Sequence, residues 1–129
     1  MLTLICGCSR VGKTTYSQAF DNVIHLDDVG SPQERYTIVN RLLVSLKGDI
    51  VVEGIYDRAS LRIALLNAYK GIGKRCIWLD PSEEEVRSRP WGRRHGFSKH
   101  SFEPPTYSEG WDEIIRITNY ECNRTKRET

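Results

Sequence analysis

The chain contains no long apolar run, and no window approaches the roughly eighteen consecutive apolar residues that a membrane-spanning helix needs. The N-terminus lacks the cationic segment, apolar stretch and small-residue cleavage site of a secretory signal. The formal net charge is only +2, too small by itself to indicate nucleic acid or a membrane surface as a partner. These absences predict a soluble, cytoplasmic protein with no membrane partner.

The four cysteines of the chain lack the spacing of a zinc site. Cys6 and Cys8 are two residues apart at a strand end, and Cys76 and Cys122 stand far from them in the sequence. We interpret the cysteines as reduced, mostly buried thiols, with metal ligation as the less favoured alternative. Cys8 is the exception, because a loop thiol beside Lys13 and a helix N-terminus could be acidified and modified.

The composition, with 39% apolar and 28% charged residues, is that of one globular domain over residues 1–129. Apolar β-rich runs alternate with longer segments of helical period. This alternation predicts an α/β fold, a three-layer sandwich in which about four to five parallel strands carry helices on both faces. The predicted strands cover residues 2–6, 23–26, 50–53 and 75–79. Helices are predicted over 14–20, 32–46, 59–69, from 81 to before 90, and over about 108–118.

Two of these helices carry side-chain predictions. In the helix over 59–69, Leu61 and Leu65 share an apolar face, and Arg62 should point away from it. At the start of the helix from 81, Ser82 and Glu85 have the spacing of a capping box.

Residues 7–14 read Gly-Cys-Ser-Arg-Val-Gly-Lys-Thr, a complete phosphate-loop motif directly after the first predicted strand. Gly7 and Gly12 leave room for main-chain N–H groups to wrap a triphosphate, and Lys13 adds a point charge at its β- and γ-phosphates. Thr14 offers a hydroxyl to Mg²⁺, and the following helix directs its N-terminal amides at the anion. The motif predicts a P-loop NTPase fold that binds ATP and Mg²⁺, with a turn that binds no ligand as the less favoured alternative. The predicted nucleotide-binding residues are Gly7, Cys8, Ser9, Arg10, Val11, Gly12, Lys13, Thr14 and Thr15.

Acidic residues follow two further predicted strands, at the sheet edge where open α/β folds bind ligands. Asp27 is a candidate general base, and the alternative of capping the next turn is favoured for Asp28. Glu53 stands where a carboxylate can orient Mg²⁺ or its water shell, with structural capping as the alternative. Arg58 either begins a helix or reaches an acceptor phosphate, and the sequence does not decide between the two.

Residues 87–105 have no recognisable period, and loops of this length inside compact domains are usually functional. Phosphoryl transfer requires neutralisation of the charge on the migrating group, and arginines on a closing loop are a usual means. We therefore predict a lid-like loop in which Arg89 or Arg93 stabilises that group, with a solvated basic face as the alternative for either residue. The loop also contains Arg87, Arg94 and three rings that could stack on a base, Trp91, His95 and Phe97.

The phosphate loop, Asp27, Glu53, the arginine-bearing loop and the run Glu-Pro-Pro-Thr-Tyr-Ser-Glu-Gly-Trp-Asp-Glu-Ile at 103–114 together resemble the kinase module of polynucleotide 5′-hydroxyl kinases. The resemblance covers most of the chain. It implies transfer of the γ-phosphoryl of ATP to a nucleic-acid 5′-hydroxyl, a nucleoside-like substrate or another small alcohol, with Asp27 activating the acceptor hydroxyl. The chain departs from the pattern at 10–11, where the family often has Gly-Ser, and at 29–30, where its usual basic residue is missing.

Two interpretations complete the analysis. The run at 103–114 has a structural reading, in which its prolines fix an extended approach and Trp111 and Ile114 dock the last helix over the sheet. The competing function is a nucleotide-binding module that regulates a partner protein without kinase chemistry. The sequence makes no prediction of the oligomeric state.

Overall fold

The computed structural model describes residues 1–8, 11–82, 84–85 and 102–118. The described elements are β1 Leu2–Cys6, α1 Lys13–Ser17, β2 Val23–His25, α2 Arg35–Val44, β3 Ile50–Glu53, α3 Ala59–Ala68, β4 Lys74–Leu79 and β5 Glu113–Ile117. Short 3-10 helices lie at Leu26–Asp28 and Tyr107–Glu109.

The five strands form one sheet in the order β2-β3-β1-β4-β5, and every pair of neighbours is parallel. From β1 the chain moves outward to β2, then returns through β3 and crosses to β4. Because crossovers between parallel strands are right-handed, this reversal places α1 on one face of the sheet and α2 and α3 on the other. The α/β sandwich expected from the sequence is confirmed.

The centre of the sheet is the core of the molecule. All five residues of β1 are buried, as are Val51, Val52 and Glu53 of β3. A strand that is covered on both faces reads as a continuous apolar run, which is why β1 and β3 could be recognised from the sequence. The carboxyl ends of β1, β2 and β3 therefore emerge side by side at one edge of a rigid layer.

The prediction of a last helix over 108–118 is wrong. The chain makes one 3-10 turn at Tyr107–Glu109, passes through Gly110 at φ +123°, and then enters β5 beside β4. The isoleucines of β5 fit helical and strand periods equally over so short a segment, and their branched side chains favour the strand. Trp111 is buried as expected, but it precedes a strand.

The prediction that Arg62 points away from the apolar face of α3 is also wrong. The side chain is fully buried, on the same side of α3 as the buried Leu65 and Leu66. Its guanidinium reaches Glu109, 47 residues further along the chain, so the local helical period contains no sign of the contact.

The remaining boundaries differ by a few residues. α1 ends at Ser17 and α2 begins at Arg35, and both are therefore shorter than predicted. The backbone half of the predicted cap is present, since the N–H of Glu85 donates to Ser82 Oγ at 3.0 Å. The rest of the helix predicted from 81 lies outside the described residues.

Candidate nucleotide and acceptor site

The phosphate loop leaves β1 between the carboxyl ends of β3 and β4. A Cβ at Gly7 would lie 2.6 Å from the carbonyl oxygen of Leu79 and 2.9 Å from Val11 Cγ2, closer than real Cβ atoms approach. Gly12 has φ +96° at the N-cap of α1, in the left-handed region that glycine adopts at little cost. Both glycines of the motif are thus required by the backbone itself.

Lys13 is the first residue of α1, and its side chain turns back into the loop. Only 8% of the residue is exposed, and Nζ donates to the carbonyl oxygen of Cys8 at 2.7 Å. Burial lowers the pKa of Lys13, while the carboxylates of Glu53 and Asp27 oppose that shift. The loop thus holds a buried cation within electrostatic reach of two acids from neighbouring strands.

The other predicted nucleotide-binding residues are described in part. Thr14 is exposed in the first turn of α1, Thr15 is half-buried, and Val11 and Cys8 are buried. Burial of Cys8 agrees with the general reading of the cysteines and disagrees with the exception made for it. Ser9 and Arg10 lie outside the described residues.

Two acids at the carboxyl edge have opposite environments. Asp27 lies in the 3-10 turn after β2 with its side chain 75% exposed, and its Oδ1 accepts from Arg35 Nη1 at 2.9 Å. Glu53 ends β3 with only 5% exposed, and its Oε1 is 2.7 Å from His25 Nδ1. One carboxylate is open to an incoming molecule, and the other is held inside the site.

Arg35 and His25 were not singled out in the sequence. Arg35 is the first residue of α2, where its positive charge is repelled by the positive end of the helix dipole. That unfavourable position was the sign in the sequence that Arg35 has a role outside the helix. His25 is in register with Glu53 on the adjacent strand, so only the sheet order reveals their pairing.

Two tyrosines pack against each other, and one of them, Tyr36, is within electrostatic reach of Asp27. Tyr36 meets Tyr56 edge-on, with ring centroids 5.1 Å apart. Burial raises the pKa of Tyr36, and the charges of Asp57 and Asp27 raise it further. Tyr56 adopts φ +40°, a backbone conformation that costs a bulky residue about 1–3 kcal/mol and is often found at functional sites.

Residues 87–101 of the predicted lid-like loop lie outside the described residues. Arg89 and Arg93, with Arg87, Arg94, Trp91, His95 and Phe97, lie outside the described residues. Arg58 is exposed and lies at the N-cap of α3, where its side chain makes no capping hydrogen bond.

The distinctive run at 103–114 has a structural role in the described residues. The carboxylate of Glu103 accepts from the N–H of Ala59 at 2.7 Å and so caps α3. Glu109 receives Nε and Nη2 of Arg62, each at 2.9 Å, and also Nε1 of Trp111 at 3.0 Å. The run therefore anchors the chain to α3 before β5 begins.

The other cysteines and the membrane prediction can also be compared with the structure. Cys6 and Cys76 are buried on β1 and β4, with their sulfurs 3.6 Å apart and no disulfide between them. Across the described ranges, no group of three or more His, Cys, Asp or Glu side chains is arranged so that it could hold a metal ion by itself. Within those ranges, no helix has the length and apolarity to span a membrane.

The parallel sheet, its strand order and the glycine-bounded loop after β1 define a P-loop NTPase fold. Among solved structures, a gluconokinase from Sinorhizobium meliloti 1021 shares this fold, with a TM-score of 0.71 and 17% sequence identity over 98% of this chain and 87% of the gluconokinase. No protein-family model matches the chain. No curated protein matches it in sequence.

Proposed function

We propose that the protein is a kinase that transfers the γ-phosphoryl group of ATP to a hydroxyl acceptor. The observation that carries the proposal is the buried Lys13 ammonium inside the phosphate loop, within electrostatic reach of Asp27 and Glu53. A phosphate loop alone serves many nucleotide-binding proteins, but an open carboxylate beside it provides a base for an acceptor hydroxyl. The gluconokinase fold supports this reading.

On the nucleotide side, the loop amides and Lys13 would bind the phosphates of ATP. The donors near the loop suit Mg²⁺, which prefers oxygen ligands and usually combines one or two protein groups with phosphate oxygens and water. Thr14 would hold the ion through its exposed hydroxyl, and Glu53 would do so directly or through water. When bound, Mg²⁺ supplies positive charge next to the phosphoryl group. Arg89 or Arg93 is proposed to add charge from the lid-like loop.

On the acceptor side, Asp27 is the proposed general base. Its Oδ1 is held by Arg35, so its orientation is fixed while most of the side chain is exposed. A base of this kind must lie within hydrogen-bond reach of the hydroxyl that it deprotonates.

The acceptor that we propose first is a nucleic-acid 5′-hydroxyl or a nucleoside-like alcohol. The resemblance of Asp27, Glu53 and the run at 103–114 to polynucleotide kinases supports it. A small polyhydroxylated acceptor is the second candidate, supported by Asp27, Asp57 and the Tyr36 hydroxyl, whose pKa both carboxylates raise. Carboxylate and phenol oxygens of this kind suit the hydroxyl groups of such a molecule.

The test measures ADP release from Mg²⁺-ATP with and without 5′-hydroxyl DNA and RNA oligonucleotides, nucleosides and sugar acids, with Lys13→Ala as the blank. We expect acceptor-dependent ADP and transfer of the labelled phosphoryl to one acceptor class. Tight ATP binding without acceptor-dependent turnover would instead favour the alternative function, a nucleotide-binding module that regulates a partner protein.

The proposed base has a matched pair of variants. Asp27→Asn keeps an oxygen that accepts from Arg35 but cannot take a proton, and we expect turnover to fall about 10²- to 10⁴-fold with ATP affinity unchanged. Asp28→Asn removes the neighbouring exposed carboxylate and should leave turnover near the wild-type value. Equal losses in both variants would contradict the role of Asp27.

A further inference from the structure

His25 and Glu53 end the adjacent strands β2 and β3 and stand opposite each other in the parallel register. The His25 Nδ1–H donates to Glu53 Oε1 across 2.7 Å, a short and charge-assisted hydrogen bond. The imidazole is 33% exposed, whereas the Glu53 side chain is only 6% exposed. The pair therefore consists of a buried carboxylate and a partly exposed imidazole ring.

A carboxylate as buried as Glu53 is unfavourable unless its charge is compensated by partners. Lys13 provides a nearby positive charge, and His25 provides the hydrogen bond. Among the residues that the structure describes, the Glu53 side chain makes no hydrogen bond other than the one between Oε1 and His25, so Oε2 has none. The contact with His25 is therefore what fixes the rotation of the carboxylate.

We propose that His25 is a positioning residue that orients Glu53 so that Oε2 serves Mg²⁺ or its water shell. This inference rests on the proposed function, in which Glu53 takes part in Mg²⁺ binding. Groups that hydrogen-bond a metal-binding side chain commonly set its orientation, and their removal typically lowers metal affinity 10- to 100-fold. In this role His25 would act only through Glu53, by holding its carboxylate in one orientation.

The experiment measures nucleotide binding by calorimetry as Mg²⁺ is titrated, and again in EDTA. His25→Leu should raise the Mg²⁺ concentration for half-maximal effect about 10- to 100-fold and leave binding in EDTA unchanged. His25→Asn retains an N–H donor close to the position of Nδ1 and should stay near wild type. Mn²⁺ paramagnetic resonance of the bound nucleotide complex gives a second reading that does not depend on turnover.

A double variant isolates the path through Glu53. Glu53→Gln should itself weaken the Mg²⁺ dependence, and adding His25→Leu should then change little, because the partner that His25 positions has already been altered. Independent, additive losses would overturn the inference, as would equal loss of binding in Mg²⁺ and in EDTA, which indicates a structural role.

Failure of the proposed function gives a different pattern. If Glu53→Gln weakens Mg²⁺-dependent binding but His25→Leu does not, the positioning role alone is wrong. If wild-type binding is the same with and without Mg²⁺, the metal role of Glu53 is wrong and the inference falls with it.

Discussion

Two arginine–carboxylate pairs of this protein differ in their environment. Arg62 and Glu109 are buried, with side-chain exposures of 0% and 4%, and two guanidinium nitrogens contact both carboxylate oxygens. Arg35 and Asp27 share one hydrogen bond at the open edge of the sheet, and the Asp27 side chain is 75% exposed. An arginine–carboxylate pair thus holds buried segments of the fold together at Arg62–Glu109. At Arg35–Asp27 the same kind of pair leaves the carboxylate accessible to solvent.

The additional partners show why the buried pair is structural. Arg62 also donates to the carbonyl oxygens of Tyr56 and Pro104, and its guanidinium lies 5.8 Å from the ring centre of Phe102. Such a group has little freedom to bind anything else. Asp27 has one described partner and its side chain is 75% exposed, which suits the proposed role of a general base.

The largest expected effect comes from breaking the buried pair. Glu109→Ala leaves the Arg62 charge buried and removes the acceptor of the Trp111 Nε1–H, so we expect the free energy of unfolding to fall by about 3–5 kcal/mol. Denaturant titration measures the change. Glu113→Ala, at an exposed position of β5, is the matched control and should stay within about 0.5 kcal/mol of wild type. A loss as small as in the control would show that Arg62 finds other partners.

The buried Arg62–Glu109 pair should also make the free energy of unfolding depend on pH. Burial alone would raise the pKa of Glu109, but hydrogen bonds from Arg62 and Trp111 and the Arg62 charge outweigh it and hold the pKa below its usual 4.5. A carboxyl whose pKa is lower in the folded state stabilises the fold above pH 4.5, and this contribution is lost as the pH falls through the folded value.

Comparison with Glu109→Gln isolates that contribution, because the other carboxyl groups titrate in both proteins. The difference in free energy of unfolding between wild type and variant should be largest at neutral pH and should shrink as the pH falls below 4.5. A difference that is constant with pH would mean that the ionised form of Glu109 is not what stabilises the fold.

The sequence predicted what depends on local pattern and missed what depends on contacts between distant segments. The phosphate loop and β1 form one continuous motif, and Asp27 follows β2 while Glu53 ends β3, both of which the sequence predicted as strands. The Arg62–Glu109 pair joins residues 47 apart, and β5 is too short for its period to separate strand from helix. His25 could be linked to Glu53 only once β2 was known to lie beside β3.

The smallest expected effect on stability comes from the exposed pair. Arg35→Met keeps the apolar stem and removes the guanidinium, so the free energy of unfolding should change by less than about 1 kcal/mol, as is typical when an ion-pair partner is exposed. The same variant frees the Asp27 carboxylate to rotate. Because Asp27 is the proposed base, its misplacement should lower kcat/KM for the acceptor about 10- to 100-fold without weakening ATP binding. Denaturant titration and acceptor kinetics on one preparation test both expectations. A destabilisation as large as that of Glu109→Ala would mean that the Arg35–Asp27 pair stabilises the fold as much as the buried pair does.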